Sequence, residues 1–183
     1  MIENLWAGWR GRYLSSLSKR SSNEASDVRE SGSDLSIFTA ILRSGLPDEE
    51  TYIVRRSDQV FVILNAYPYA VGHTMVLPYR QVADLDELSP DESHDLWRTV
   101  TFVCRAIRRE YAPEGINVGL NMGPASGGSV NEHLHVHVVP RWTGDTNFLS
   151  VTANAKAIPE ALDVTAARLR AALRDIESSP EGA

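Results

Sequence analysis

Cysteine is almost missing from this 183-residue chain, with Cys104 as the single example. An intrachain disulfide is therefore impossible, and a zinc site built from several cysteines is excluded. No run of about 18 apolar residues exists to span a membrane as a helix. The start, Met1-Ile2-Glu3-Asn4-Leu5-Trp6, has no basic stretch followed by an apolar one, so no secretory signal is expected. A Lys/Arg-rich block is absent too, and 24 acidic against 18 basic side chains give a formal charge of −6. That balance argues against nucleic acid as a partner, because phosphate neutralisation needs a basic footprint. A soluble, reduced, cytoplasmic protein is the expectation. What is present is an ordinary apolar share of 43%, enough for one core with appendages.

Three parts are expected along the chain. Leu5, Trp6, Trp9, Tyr13, Leu14 and Leu17 recur close to every 3.6 residues, which predicts a short amphipathic helix. The serine- and charge-rich segment 15–36 cannot bury enough apolar surface to offset its ordering, so residues 1–35 read as a helical arm and linker. Residues 36–153 form the expected core domain. A helix through Phe38 and Ile41 is stopped at Gly45-Leu46-Pro47. Tyr52–Arg55 and Gln59–Asn65 read as a hairpin, and His73–Pro78 as a further strand. Ser89-Pro90-Asp91-Glu92 opens a long helix reaching about Tyr111, with Leu96, Val100, Val103, Cys104 and Ile107 inward. Ile116–Asn121 and His133–Val139 are strand-like around a loop holding Gly123, Gly127 and Gly128, and Phe148–Thr152 is a candidate short strand. Pro159–Ile176 is helix-forming, within a tail of residues 154–183. Hairpins with intervening helices point to an α+β domain with a mostly antiparallel sheet, one long helix and a C-terminal helix.

Chemistry concentrates in His133-Leu134-His135-Val136-His137, four of the five histidines being these three and His73. Only His94 falls elsewhere, on the exposed side of a helix start. Period-two alternation would place the three imidazoles on one sheet face. Three uses compete for them. As plain core they would be costly, since each ring needs a partner. As a metal site they fall short by themselves: the outer pair lies about 13 Å apart along a strand, so His73 would have to be a third ligand. As a nucleophile with orienting neighbours, neutral imidazole is competent near pH 7, and its attacking nitrogen is chosen by what the other one bonds. The glycine loop, with Asn121 before it and Ser129 after it, lets backbone N–H groups approach an anion closely. No Gly-Lys-Ser/Thr follows, so P-loop ATPase chemistry is unsupported.

HLHVHVV resembles the signature of the histidine triad (HIT) family. The resemblance extends from Ser36 to about Ala153 through SIFTAIL, LNAYPYAVGHTMVLPYR, the long helix, GLNMGPASGGSV and the PRW after the triad. It implies a HIT-like fold and nucleotidyl transfer through a covalent nucleotidyl-histidine. By position, His135 would be the nucleophile, His137 would contact the transferred phosphate and leaving oxygen, and His133 would orient the nucleophile's ring. His73 would support that network, and Asn65 would bond ribose hydroxyls. Ile63, with Phe38 or Ile41, would wall the base, plain core packing being the competing reading. Asn121, Gly127, Gly128 and Ser129 would cradle phosphate, with Arg141 a further attraction for polyphosphate or a solvated rim residue.

Histidine as the third triad member disfavours the hexose-phosphate uridylyltransferase branch, which has glutamine there. Asn…Gly-Gly-Ser, the tryptophan-bearing start and PRW look most like bacterial diadenosine tetraphosphate phosphorylases of the fragile-histidine-triad-like branch. The implied substrate is a dinucleoside polyphosphate, with inorganic phosphate as acceptor. A hydrolase using water, a nucleoside phosphoramidase and a regulatory nucleotide-binding protein with little turnover are the alternatives. No cofactor or metal is required on this reading, magnesium entering at most as counter-ion of the polyphosphate. A homodimer is implied, paired through the strand and helix that precede the triad.

Overall fold

The computed structural model describes residues 35–128, 130–145 and 160–178. The expected N-terminal helix and linker, the Phe148–Thr152 strand and Ser129 lie outside the described residues. The first described helix, α1 (Ile37–Arg43), starts at Ser36, whose Oγ accepts the Thr39 N–H at 3.1 Å. That bond satisfies one of the orphan donors of a helix start. Gly45, at φ +68°, turns the chain away. A one-turn helix, α2 (Asp48–Thr51), follows with three acids in its first turn, an element too short to show a period in sequence.

β1 (Ile53–Arg56) and β2 (Val60–Leu64) form the expected hairpin. Its turn is pinned from outside: Asp95 accepts from Ser57 Oγ at 2.8 Å and from the Gln59 N–H at 2.9 Å. β3 (Thr74–Pro78) continues the sheet. The long helix α3 (Pro90–Tyr111) begins in a capping box, Ser89 and Glu92 each bonding the other's backbone N–H. β4 (Gly115–Leu120), β5 (Val136–Arg141) and the C-terminal helix α4 (Leu162–Glu177) complete the strands and α-helices of the described residues. The five strands are antiparallel throughout, in the order β1-β2-β3-β5-β4. Among the described residues no helix is long and apolar enough to cross a membrane.

The sheet has two working faces. Cross-strand pairs run Ile53–Ile63–Met75–His137–Gly119, so these residues share one face. There Phe38 and Ile41 of α1 join Ile53, Phe61, Ile63, Met75 and Leu77 in one buried cluster. The alternate residues, such as Val62, Val76, Val136 and Val138, are all fully buried on the other face, where α3 packs on β2, β3 and β5. Leu96, Val100, Val103, Ala106 and Ile107 form the inner stripe of α3, whereas Cys104 stands at its half-buried edge. Burial raises the Cys104 thiol pKa, which keeps it protonated.

The triad strand is shorter than the alternation suggests. β5 begins only at Val136, and His133 and His135 lie in the segment leading into it. β3 ends at Pro78, which has no N–H to continue the ladder. The Leu134 N–H turns instead to the Val82 carbonyl at 2.6 Å.

Candidate active site

The four clustered histidines are held by two separate sets of hydrogen bonds. His133 is fully buried between α1 and the end of β3. Its Nε2 lies 2.9 Å from the Pro78 carbonyl, which can only accept, so Nε2 carries the proton. Its Nδ1 therefore accepts the Ser36 hydroxyl proton at 2.7 Å. Burial, and next to it the neighbouring His135, hold the His133 pKa down against the pull of the Pro78 carbonyl. Gln81 Oε1 closes this corner, accepting from the Ser36 N–H at 2.8 Å and from Thr39 Oγ1 at 2.9 Å.

His135 is buried and its Nδ1 stands 2.8 Å from the main-chain carbonyl of His133. Nδ1 must donate there, which leaves the lone pair on Nε2. The contact that orients His135 is thus the carbonyl of His133; its imidazole anchors the segment to Ser36 and Pro78. Phe38 packs against both rings, 5.6 Å from His133 edge-on and 5.5 Å from His135.

The second set runs in the opposite sense. The Tyr69 main-chain N–H donates to His73 Nδ1 at 3.0 Å. His73 therefore has its proton on Nε2, which donates to His137 Nδ1 at 3.0 Å. His137 in turn keeps its own proton on Nε2. Burial, with the nearby His135, lowers the His137 pKa to about 4, so the ring is neutral near pH 7. The His135 and His137 rings meet edge-on with centroids 4.8 Å apart. One ring thus presents a lone pair and its neighbour presents an N–H, side by side. Gly119, directly opposite His137 on β4, leaves open space beside it.

The His73 end is braced from behind. The Gly72 position, at φ +78°, favours glycine and is closely packed: a Cβ would lie 3.2 Å from the Tyr111 ring and 3.3 Å from Pro140. Tyr111 ends α3, and its hydroxyl donates to Glu160 Oε1 at 2.8 Å. Arg168 of α4 lies over the Tyr111 ring at 4.5 Å and is paired with Glu110 and Glu160.

The remaining expected site residues divide by place. Phe38, Ile41 and Ile63 are all buried in the cluster on the site's face of the sheet. Asn65 is half-buried; its Oδ1 accepts the Tyr67 N–H at 2.8 Å and its own N–H bonds the His73 carbonyl at 3.0 Å, so it shapes the turn that delivers His73. Asn121 follows Leu120, which pairs with Val136, and so stands beside the lead-in that carries His135. Gly123 and Gly127 adopt φ of +74° and +89°, and a Cβ on Gly128 would sit 3.0 Å from Asn121 Cβ. Arg141 is occupied elsewhere: it grips Asp145 through two hydrogen bonds, at 2.6 and 2.9 Å, and donates to Asn117 at 2.8 Å. It fastens β5 to β4 and leaves no hydrogen-bonding fork turned to a polyphosphate. His94 is exposed on α3. Among the described residues no group of three or more His, Cys, Asp or Glu side chains is arranged to hold a metal ion.

Sequence reasoning missed Ser36 and Tyr69 as members of the site. Both lie in segments quoted above only for the resemblance, SIFTAIL and LNAYPYAVGHTMVLPYR.

The chain is similar to several known proteins. The HIT domain family model matches residues 47–144. The chain is 42% identical over 161 residues to the AP-4-A phosphorylase of Mycobacterium tuberculosis, covering 88% of this chain and 79% of that one. It is 35% identical over 88 residues to the bis(5'-adenosyl)-triphosphatase of Saccharomyces cerevisiae, covering 48% of this chain and 42% of that one. Among solved structures it resembles a zinc-bound histidine triad family protein from Mycobacterium smegmatis, with a TM-score of 0.64 and 28% identity over 78% of this chain and 95% of that one. The framework of paired histidines, its register in the sheet and these matches agree: the chain belongs to the HIT family.

Proposed function

We propose that this protein is a dinucleoside polyphosphate phosphorylase working through a nucleotidyl-histidine intermediate. The observation that carries the reading is the pair of opposed tautomers, His135 offering the Nε2 lone pair beside the Nε2–H of His137. In the first half-reaction His135 Nε2 attacks the α-phosphorus and the bond to the bridging oxygen breaks. The proton on His137 Nε2 stabilises the charge that develops on that oxygen. As Nε2 takes the phosphoryl group the His135 ring becomes positive, and the His133 carbonyl facing Nδ1–H stabilises that charge. In the second half-reaction an oxygen of inorganic phosphate attacks the same phosphorus and the P–N bond breaks. Diadenosine tetraphosphate plus phosphate would thus give ATP from the first step and ADP from the second. Asn121 and the backbone N–H groups of the glycine loop are read as the cradle for the phosphoryl oxygens, and Phe38 with Ile63 as the apolar backing of the transferred nucleoside.

Phosphate rather than water as acceptor is supported by the long match to the AP-4-A phosphorylase; the shorter match to the triphosphatase favours water as the second reading. Diadenosine tetraphosphate assayed with and without phosphate separates them. ATP plus ADP, formed only with phosphate, is expected. ATP plus AMP without phosphate would make the protein a hydrolase, and binding without turnover would make it a regulatory nucleotide binder.

We also read the chain as a homodimer. β4 is an edge strand with mostly exposed residues, and Val118 on it and Trp97 on α3 are 44% and 42% exposed. An unpaired edge flanked by exposed apolar side chains invites pairing with a second copy. Light scattering is expected to give twice the chain mass, and Val118→Lys to shift it toward the monomer.

A further inference from the structure

Tyr69 lies in the turn between β2 and β3 and is 56% exposed. Its placement is nonetheless fixed. Pro68 restricts the backbone before it, and its main-chain N–H is held by His73 Nδ1 at 3.0 Å. Its ring lies 4.7 Å from the His73 ring at 34° and 6.1 Å from the His137 ring at 28°. A large aromatic ring fixed against two site histidines, yet more than half in solvent, forgoes burial that it would ordinarily gain.

The row of rings has an aromatic residue at each end. Phe38, 6% exposed, touches His133 and His135; Tyr69 touches His137 and His73. On the proposed reaction, on which this inference rests, the transferred nucleotide stays with His135 and the expelled one departs past the His137 N–H. The departing half therefore passes along Tyr69. We infer that Tyr69 is the stacking platform for the base of the leaving nucleotide, so that the site reads two nucleosides and not one. Exposure suits that role, because the leaving half must go before phosphate enters, and a buried pocket would retain it. Every base has a π-face, so such a platform tolerates any base on the leaving side.

The test compares diadenosine tetraphosphate with adenosine 5′-tetraphosphate, which offers the same transferred AMP but no second nucleoside. Tyr69→Ala is expected to raise KM for the dinucleotide about tenfold, the weight of one base–aromatic stack, against less than about twofold for the mononucleotide. Tyr69→Phe, which keeps the ring, is expected to restore the low KM. Turnover of the mononucleotide also reports that the variant is folded. An equal loss on both substrates, chiefly in kcat, would show that Tyr69 only steadies His73 and His137, and would overturn the inference alone. Wild-type protein that turns over neither substrate would overturn the proposed reaction, and the inference with it.

Discussion

Two polar networks meet at Gly72, and they are built on opposite principles. On the sheet side, His133, His135, His137 and His73 are linked to one another and to Ser36, Pro78 and Tyr69 by directional bonds between neutral groups. On the helix side, Arg168 pairs with Glu110 at 2.6 Å and with Glu160, while Tyr111 and Thr165 donate to the same Glu160 carboxylate at 2.8 and 2.7 Å. Burial alone would raise the Glu160 pKa, but the bonds from Thr165, Arg168 and Tyr111 outweigh it and lower it. Those same carboxylates raise the pKa of Arg168. The charged network fixes the ends of α3 and α4 whatever the direction of any one proton. The neutral network fixes proton directions, and only neutral imidazoles allow one ring to keep a lone pair while its neighbour keeps an N–H. Stiffness and proton placement are thus assigned to different chemistry, a few residues apart.

The largest expected effect lies on the neutral side. His135→Asn removes the attacking nitrogen while keeping a group of similar polarity. Turnover of diadenosine tetraphosphate is expected to fall by at least about a thousandfold, with nucleotide affinity by calorimetry nearly unchanged. Retained turnover would sink the covalent scheme and reduce the four-ring network to a structural feature.

Next comes His73, which sets the tautomer of His137 and also holds the Tyr69 N–H. His73→Phe removes the proton that faces His137 Nδ1, so His137 is free to protonate there and lose its outward N–H. On adenosine 5′-tetraphosphate, which makes no use of Tyr69, a fall in kcat of about a hundredfold is expected, with KM little changed. The loss should shrink when the leaving group needs no proton, as in an adenylate ester of p-nitrophenol. A uniform loss on good and poor leaving groups would mean that His73 merely packs.

The charged side should respond differently. Glu160→Ala leaves Arg168 with Glu110 alone and the Tyr111 hydroxyl without its acceptor, so a fall in Tm of roughly 5 °C is expected. Activity per folded molecule, at a temperature well below the transition, should change by less than about threefold, because no proton in the histidine row is reassigned. A hundredfold loss of kcat with unchanged Tm would invert the comparison.

How much of this was legible in sequence follows from the range of the interactions. α1, the hairpin, α3 and α4 were readable because stops, caps and apolar periods are local: Gly45-Leu46-Pro47, Ser89-Pro90 and the Leu96–Ile107 stripe lie within a few residues of what they control. The histidine cluster was readable from HLHVHVV and the distant His73 through resemblance. The start of β5 was misplaced by three residues, because where a ladder ends depends on the partner strand, here on Pro78, and not on alternation. The tautomers were not readable at all: they depend on Ser36, Pro78 and Tyr69, brought from three other segments. Arg141 next to a triad suggested phosphate until Asp145 and Asn117 were seen to occupy it.

The smallest effect, and the one that separates the two networks most cleanly, is their order of failure in acid. His137 is held at about 4 against an ordinary 6.5, and His133 is lowered as well, burial being the main cause for both. A histidine with a depressed folded pKa binds more protons when unfolded, so its contribution to stability is complete above 6.5 and is lost as pH falls toward 4. Glu160 is lowered from 4.5, so its contribution is complete above that value and is lost only as pH falls through its lower folded pKa. Acid should therefore loosen the histidine row first and the Arg168 clamp second. Urea unfolding at pH 7, 5.5 and 4 is expected to show stability falling across the whole range in the wild type. His137→Gln should flatten the slope between pH 6.5 and 4 by at most about one proton per chain, because a single titrating ring is removed. Glu160→Ala should leave that slope intact and flatten only the part below 4.5. An unchanged upper slope in His137→Gln would mean that the fold does not hold the His137 pKa down, and the predicted order of failure would be lost.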